Sequence, residues 1–285
     1  MRCTKLAGAA VLVAAVAFSD PAPASVAPSD RMSLLYEVYS GGFLVLNFQL
    51  DLALAQESYD VTARINSAGF VGWFLSWRQV SESQGRLSPN GVSPTQHRSQ
   101  AVFHGRQRSV EIDYDAGKVG DVRVQPPASD DEGRDEVTVE RRREAMDPIS
   151  SILNAIRSIT AGQGCGGRLP VFDGRRRYDL VLTDRSNRTP GLPQLAGAPT
   201  QQVQCDFVYE PIAGHDRRNA DPETKGKRRI QSGRVFAERT GALVVPVRIE
   251  IDGDWGMTIA HLREIKRADC VVAVENSTLP LRPAC

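Results

Sequence analysis

The segment SITAGQGCGGRLPVFDGRRRYDL holds three glycines in the spacing G-x-G-x-x-G, at Gly162, Gly164 and Gly167, with Cys165 between them. Dinucleotide-binding loops use this spacing where a strand leads into a helix, so that the helix N-terminus meets the phosphates. Here a predicted helix precedes the glycines and a predicted strand follows them. A phosphate would therefore meet the carbonyl end of the helix, which is its unfavourable pole. The order of elements argues against a nucleotide site.

Cys165 has two further chemical interpretations, a nucleophilic thiol or one half of a disulfide. A nucleophilic thiol needs a nearby base and a lowered pKa. The four histidines all lie far from Cys165 along the chain, at His97, His104, His215 and His261. The glycines beside Cys165 suit the close backbone approach of a disulfide, and we therefore favour a structural role.

The cysteine count agrees with a structural role. Once an N-terminal leader is set aside, the cysteines that remain are Cys165, Cys205, Cys270 and Cys285. An even number is typical of an oxidising compartment. We predict the pairs Cys165–Cys205 and Cys270–Cys285 because each closes a local loop, worth about 4 and about 3 kcal/mol respectively on the chain-entropy model. No C-x-x-C or H-x-x-x-H spacing occurs, so we expect neither a metal site nor a cofactor.

Other catalytic patterns are missing from the sequence. The motifs G-x-S-x-G, S-x-x-K and H-E-x-x-H do not occur. The acidic cluster at 130–132 lies in a stretch that we expect to be a solvated loop. The basic runs at 175–177 and 227–229 are interpreted as solvated, with an anion site as the alternative.

The N-terminus has the features of an export signal. Arg2 and Lys5 precede an apolar run at 6–18, and Ala22-Pro23-Ala24 is an A-x-A cleavage site. The run is shorter than the roughly 20 residues that a membrane-spanning helix needs. We predict that residues 1–24 form a signal peptide that is removed on export to the periplasm.

The remaining residues, 25–285, are predicted to form a single β-rich domain, and their net charge limits the partners that this domain can have. Loss of Arg2, Lys5 and Asp20 from 35 basic and 34 acidic residues leaves 33 of each, a net charge of zero. Nucleic-acid binding depends on a basic excess, so we expect no nucleic-acid partner. No later segment is apolar enough to span a membrane.

Alternating apolar residues dominate the first half of the chain. LVLNFQLDLAL places one set of side chains on a single face, namely Leu46, Phe48, Leu50, Leu52 and Leu54. This period predicts a half-buried strand. Similar segments recur along both halves, interrupted by polar stretches at 125–144 and 213–231 that we predict to be loops. The pattern predicts a mainly β fold, with a single curved antiparallel sheet that forms an open barrel or a spiral.

One helix is predicted near the middle of the chain. Asp147 is a suitable N-cap and Pro148 suits the first helical position. Apolar residues then recur at helical spacing, at Ile149, Ile152, Leu153, Ile156 and Ile159. Gly162 would end the helix. We expect this helix to pack on the concave side of the sheet, where both apolar faces are buried.

The segment GFVGWFLSW concentrates aromatic residues, with Phe70, Trp73, Phe74 and Trp77 close together. Core packing is the first interpretation. If the sheet curls without filling its interior, the same four side chains would line an apolar cavity for a lipid or an acyl chain.

Several segments together resemble the bacterial domain-of-unknown-function 3108 family in its exported, proteobacterial form. They are YEVYSGGFLVLNFQLDL, GRLSPNGVSP, DPISSIL, PVFDGRRRYDLVL and PVRIEI, in that order. The resemblance covers roughly Leu34 to Lys266. It implies a Gram-negative periplasmic protein with an antiparallel, barrel-like fold, similar to the lipoprotein carriers of the periplasm. It brings no catalytic residues, so Asp147 is interpreted as a helix cap and Asp173-Gly174 as a two-residue turn.

These observations favour a non-enzymatic protein of the cell envelope. We expect it to bind an apolar or amphipathic ligand, such as a lipid or a lipoprotein, or an envelope protein partner. One alternative is a hydrolase whose carboxylate and histidine are brought together by folding. A second is a protein-interaction scaffold, which would expose an apolar patch or an unpaired strand edge.

Overall fold

The computed structural model describes residues 30–74, 76–128, 134–186, 202–215, 232–240, 243–253, 256–267 and 270–273. Within these ranges the strands form one 14-stranded sheet in which every strand pair is antiparallel. The sheet follows from the alternating pattern, and the predicted mainly β fold is confirmed.

The first seven strands form a meander in which each strand pairs with the next. They are β1 (Asp30–Ser40), β2 (Phe43–Leu54), β3 (Ser58–Ser67), β4 (Trp77–Ser88), β5 (Gly91–Phe103), β6 (Arg106–Asp115) and β7 (Lys118–Gln125). Tight turns join most of them. A short 3₁₀ helix, Phe70–Trp73, separates β3 from β4.

The remaining strands form a second arm of the same sheet. They are β8 (Gly167–Phe172), β9 (Arg177–Asp184), β10 (Gln202–Ala213), β11 (Ser232–Thr240), β12 (Leu243–Gly253), β13 (Gly256–Arg267) and β14 (Cys270–Ala273). Strand β13 returns to pair with β1, which joins the two arms, and β14 adds to the end of β13. The edge strands of the main path are β7 and β8.

Two helices lie between the arms, α1 (Val139–Arg142) and α2 (Pro148–Thr160). Helix α1 falls inside the stretch 125–144, which was predicted to be a polar loop throughout. Helix α2 is the predicted one. It packs against β4 and β5 of the first arm and against β8 and β12 of the second, so the sheet curves around it as expected.

Side-chain bonds fasten the C-terminal half of α2 to both arms. The amide of Asn154 accepts from the Val92 backbone N–H at 3.1 Å. The hydroxyl of Thr160 accepts from the Val244 backbone N–H, also at 3.1 Å. These two bonds hold α2 across the concave side of the sheet. The main core therefore lies between α2 and strands β1–β5 and β11–β13, with Leu34, Val61, Leu262 and Ile265 among its buried members.

The sheet is not closed strand to strand, and residues 143–147 bridge its two edges. The Val119 backbone N–H of β7 donates to the Arg143 carbonyl at 2.9 Å. On the other side, the Met146 backbone N–H donates to the Pro170 carbonyl of β8 at 3.0 Å, and the Met146 carbonyl accepts from the Phe172 backbone N–H of β8 at 2.8 Å. A second apolar cluster fills this junction, formed by Ile112, Val119, Ala145 and Phe172. The result is an open barrel.

The disulfide Cys165–Cys205 and the turn after β8 were both predicted from the sequence. The disulfide Cys165–Cys205 is present, with 5.9 Å between the Cα atoms, whereas Cys285 lies outside the described residues, so the pair Cys270–Cys285 stays a prediction. The turn between β8 and β9 has four residues, 173–176, and not two, because Asp173 accepts from two backbone N–H groups across it. Most of the predicted loop 213–231 lies outside the described residues.

Candidate ligand-binding groove

A cavity of about 270 Å³ lies between α2 and the concave face of the sheet. Strands β1–β5 and β12 form its walls together with one face of α2. The lining residues are Tyr36, Phe48, Leu50, Leu52, Val61, Ala63, Ile65, Gln79, Ser81, His97, Ser99, Pro148, Ile149, Ile152, Leu153, Ile156, Asp173, Pro246 and Ile249. We call this cavity the groove.

The apolar part of the groove combines two sequence patterns. The inward-facing residues of β2 include Phe48, Leu50 and Leu52, which the alternating pattern placed on one face. The apolar stripe of α2 supplies the opposite wall. Ile152 belongs to that wall and yet is 47% exposed, so the groove is accessible from solvent at the helix.

A strip of polar side chains runs along one side of the groove, on β4 and β5. The amide of Gln79 donates to the hydroxyls of Ser81 and Ser99, at 3.0 and 3.3 Å. The two hydroxyls lie 2.9 Å apart. The strip offers hydroxyl and amide groups to a ligand beside apolar walls, which is the composition typical of small-molecule sites.

At the end of the polar strip, His97 contacts a buried carboxylate. Nδ1 of His97 lies 3.3 Å from Oδ1 of Asp147, and both side chains are almost fully buried. The ring N–H is not aligned with Oδ1 as a regular hydrogen bond, so the contact is mainly electrostatic. The same imidazole lines the groove. The carboxylate is thus positioned behind a groove-facing imidazole.

Asp147 has further partners because it is also the N-cap of α2. Its Oδ1 accepts from the Ser150 backbone N–H at 2.9 Å, as predicted from the sequence. Its Oδ2 accepts from the hydroxyls of Ser150 and Ser83, at 2.5 and 3.1 Å. The Tyr59 hydroxyl lies 2.7 Å from the hydroxyl of Ser150. The result is a buried polar cluster that joins α2 to β3, β4 and β5.

The electrostatics of this cluster follow from its contacts. Burial by itself raises the pKa of Asp147, but the contact with His97 and the hydrogen bonds from Ser150 outweigh it and hold the pKa below its usual range. Burial raises the pKa of Tyr59 to about 12, and the charge of Asp147 adds to that rise. Asp147 is therefore ionised and Tyr59 neutral at physiological pH.

The cluster contains serine, histidine and aspartate, but not in the order of a catalytic triad. In a triad the histidine lies between the serine and the carboxylate and takes the serine proton. Here the hydroxyl of Ser150 donates directly to Asp147, and Ser150 is fully buried. Among the described residues, no hydrogen bond joins His97 to a serine hydroxyl. The arrangement supports α2 and orients an imidazole; it does not activate a nucleophile.

The aromatic residues singled out from the sequence lie elsewhere. Trp73 and Phe74 are 85% and 76% exposed, and Phe70 is also exposed, so they are not core residues. Trp77 is half-buried and packs edge-on against Phe103, with ring centroids 6.3 Å apart. None of the four lines the groove. They follow the end of β3, in the 3₁₀ helix and the start of β4, where the chain turns at the rim of the sheet.

Other candidate residues have structural partners or lie outside the described ranges. The guanidinium of Arg177 pairs with Asp179 and donates to the Arg141 carbonyl. Residues 130–132 and 227–229 lie outside the described residues. Within the described part of the chain, no group of three or more His, Cys, Asp or Glu side chains could hold a metal ion, and no helix is long and apolar enough to cross a membrane.

Sequence reasoning missed His97, Ser83 and Ser150. It recognised Asp147 only as a helix cap. Ser83 and His97 occupy facing positions on β4 and β5, and the inward positions of β4 around Ser83 are polar, which was a weak signal for a polar strip facing the interior. The approach of α2 to that strip could not be inferred from spacing along the chain.

Comparison with known proteins agrees with the sequence motifs. The model of a family described as "Protein of unknown function (DUF3108)" matches residues 35–259, and the chain belongs to this family. The predicted resemblance is therefore confirmed. No curated protein matches the chain. Among solved structures, it is similar to a beta-barrel-like protein of domain of unknown function DUF1849 from Brucella abortus, with a TM-score of 0.48 and 12% identity, over 84% of this chain and 98% of that one.

Proposed function

We propose that this protein binds an apolar or amphipathic ligand, of the class of an acyl chain with a polar end, in the groove between α2 and the curved sheet. The observation that carries the proposal is the groove itself, with apolar walls from two elements and a polar strip along one side. Binding without catalysis is the proposed activity. The N-terminal export pattern supports the cell envelope as the place where it acts.

The size of the groove supports a small apolar ligand. An apolar cavity of about 150 Å³ can hold a benzene molecule and stay free of water, and liquid water occupies about 30 Å³ per molecule. The groove, at about 270 Å³, therefore has room for a short stretch of hydrocarbon. Its exposed wall at Ile152 would let a longer chain extend into solvent or towards a second surface.

The polar strip supports an amphipathic ligand over a purely apolar one. Gln79, Ser81 and Ser99 satisfy one another in the present arrangement. Each hydroxyl retains acceptor capacity beyond these bonds, so a ligand hydroxyl group could donate to the network without leaving a buried group unpaired. A ligand with no polar group would instead desolvate the strip at a cost.

Filling the groove tests the proposal. Ala63 lines the groove and is 8% exposed, so Ala63→Leu would place extra carbon atoms in the space that a ligand needs. We expect the affinity for the apolar fluorescent probe N-phenylnaphthylamine to fall by about tenfold or more, corresponding to about 1.4 kcal/mol. The measurement is a fluorescence titration of each protein.

Ala53→Leu is the matched control. Ala53 lies on the neighbouring strand β2 but on the other face of the sheet, beside Arg31 and Asp51. The variant Ala53→Leu makes the same chemical change as Ala63→Leu but outside the groove, so it should leave the affinity for the probe unchanged. Equal affinity of the wild-type protein and both variants would show that the probe does not bind in the groove and would refute the proposal.

A further inference from the structure

One rim of the sheet exposes a group of aromatic side chains. We call it the aromatic rim and define it by Phe43, Phe70, Trp73, Phe74 and Phe103, all of which are exposed. Trp73 is the most exposed of them, at 85%. Exposed apolar residues scattered singly need no explanation, but several on one edge mark an interaction surface.

The topology explains why these residues meet at one rim. The turn from β1 to β2, the connection from β3 to β4 and the turn from β5 to β6 all lie at the same end of neighbouring antiparallel strands. Phe43 and Phe70 pack edge-on with ring centroids 5.2 Å apart. Phe103 packs in the same way against Trp77. The aromatic rim therefore lies along one end of β2–β5.

The two segments that carry most of the aromatic rim have charge of one sign. Residues 66–80 and 99–110, which form most of this end of β3–β6, contain Arg78, Arg106 and Arg108 and no aspartate or glutamate. All three arginines are exposed. The chain as a whole has nearly equal numbers of basic and acidic residues, so this local excess is a property of the rim.

Exposed tryptophan and phenylalanine beside arginine is the combination found where proteins meet a lipid surface. Aromatic rings are favoured at the interface between headgroups and hydrocarbon, and each nearby basic residue adds attraction to anionic lipids. We propose that the aromatic rim docks the protein on a membrane surface that contains anionic lipids. Trp73 and Phe74 enter the interface, and Arg78 and Arg106 contact the headgroups.

A second copy of the chain fits this surface less well. A two-fold dimer would place the same patch of both copies face to face. Arg78 and Arg106 of each copy would then approach those of the other copy, and the two segments contain no acidic residue, which is unfavourable. An anionic lipid surface has the complementary charge.

The docking proposal does not rest on the proposed function. The aromatic rim residues do not line the groove, and membrane docking needs no ligand inside the protein. Loss of probe binding in Ala63→Leu and loss of vesicle binding in a rim variant are separate results, so either proposal can fail while the other stands.

Co-sedimentation with lipid vesicles tests the docking proposal. The protein, expressed from its full sequence, is mixed with vesicles of phosphatidylcholine and phosphatidylglycerol, or of phosphatidylcholine alone. We expect the double variant Trp73→Ala/Phe74→Ala to reduce partitioning onto the mixed vesicles by about tenfold to a hundredfold, because each buried aromatic ring contributes substantially. Arg106→Gln should weaken binding to the mixed vesicles only, and added salt should weaken it further.

Val139→Ala is the matched control, since Val139 is an exposed apolar residue on α1, away from the aromatic rim. It should bind vesicles as the wild-type protein does. All variants carry the same leader, so any contribution from it cancels. Equal partitioning of the wild-type protein and Trp73→Ala/Phe74→Ala would overturn the proposal. So would a wild-type dimer in sedimentation velocity that this double variant converts to a monomer without any change in vesicle binding.

Discussion

At the scale of single residues, Asp147 combines two roles in one buried side chain. It caps α2 through the Ser150 backbone N–H, and it faces His97 on β5 and Ser83 on β4. A buried carboxylate is stable only when its partners replace the lost water. Here the partners come from three elements, so the carboxylate holds the helix against the sheet where the groove begins.

Removing this carboxylate should be costly. Asp147→Ala leaves the imidazole and two hydroxyls without their partner and removes the cap, and we expect the free energy of unfolding to fall by about 3 kcal/mol or more. Asp147→Asn should lose less because its amide oxygen still accepts the capping bond. Urea unfolding measures both. As a control, Asp121→Asn, at an exposed carboxylate, should change stability by no more than about 0.5 kcal/mol.

The pH dependence of the stability difference between the wild-type protein and Asp147→Asn reports the charge of Asp147. Its folded pKa lies below the unfolded value of about 3.9. The stability that its ionised form contributes is present above that value and is lost as the pH falls through the folded pKa. The gap between wild type and Asp147→Asn should therefore narrow as the pH falls below about 4. The neighbouring tyrosines, Tyr59 and Tyr114, have raised pKa values and stay neutral in this range. A gap that is constant with pH would contradict the ionised state.

At the scale of elements, the two arms also come into direct contact at the turn after β8. A Cβ atom added at Gly174 would overlap a methyl group of Val110 on β6, and Gly174 has a φ of +92°. Gly162, at the end of α2, has a similar φ of +80° but no atom within 4 Å of an added Cβ. The two glycines share a conformational requirement and differ only in packing.

This difference gives a matched comparison. Gly162→Ala should cost about 1 kcal/mol, because alanine is strained at positive φ. Gly174→Ala carries the same strain and also displaces Val110, so it should cost about 1 to 3 kcal/mol more. Urea unfolding of both variants measures the difference. Equal losses would mean that the turn after β8 does not pack against β6, and the open barrel would then be less tightly joined than described.

The sequence was most informative about individual strands and helices. The period-two pattern of β2 and the apolar spacing of α2 predicted both elements, because those patterns depend only on neighbours along the chain. The Cys165–Cys205 pair followed from loop length. The short helix α1, the bridge at 143–147 and the contact of His97 with Asp147 were not predicted, since each depends on residues that meet only when the two arms curve around α2.

At the scale of the whole molecule, one curved sheet provides two surfaces with different chemistry. Inside the curve, α2 leaves the groove between its apolar stripe and β1–β5. At one end of the same strands, the aromatic rim faces outwards. An open barrel allows both, because the helix fills only part of the interior and the strand ends are free to carry exposed side chains. A binding protein that meets a membrane would use the two surfaces together.

The most direct test of the groove as a ligand site is native mass spectrometry of the protein purified from its native host, followed by extraction and identification of what co-purifies. We predict one acyl-containing molecule per chain in the wild-type protein and in Ala53→Leu, and its loss in Ala63→Leu. A wild-type protein with the mass of the bare chain, or a ligand retained equally by Ala63→Leu, would contradict the proposal that the groove binds an amphipathic ligand.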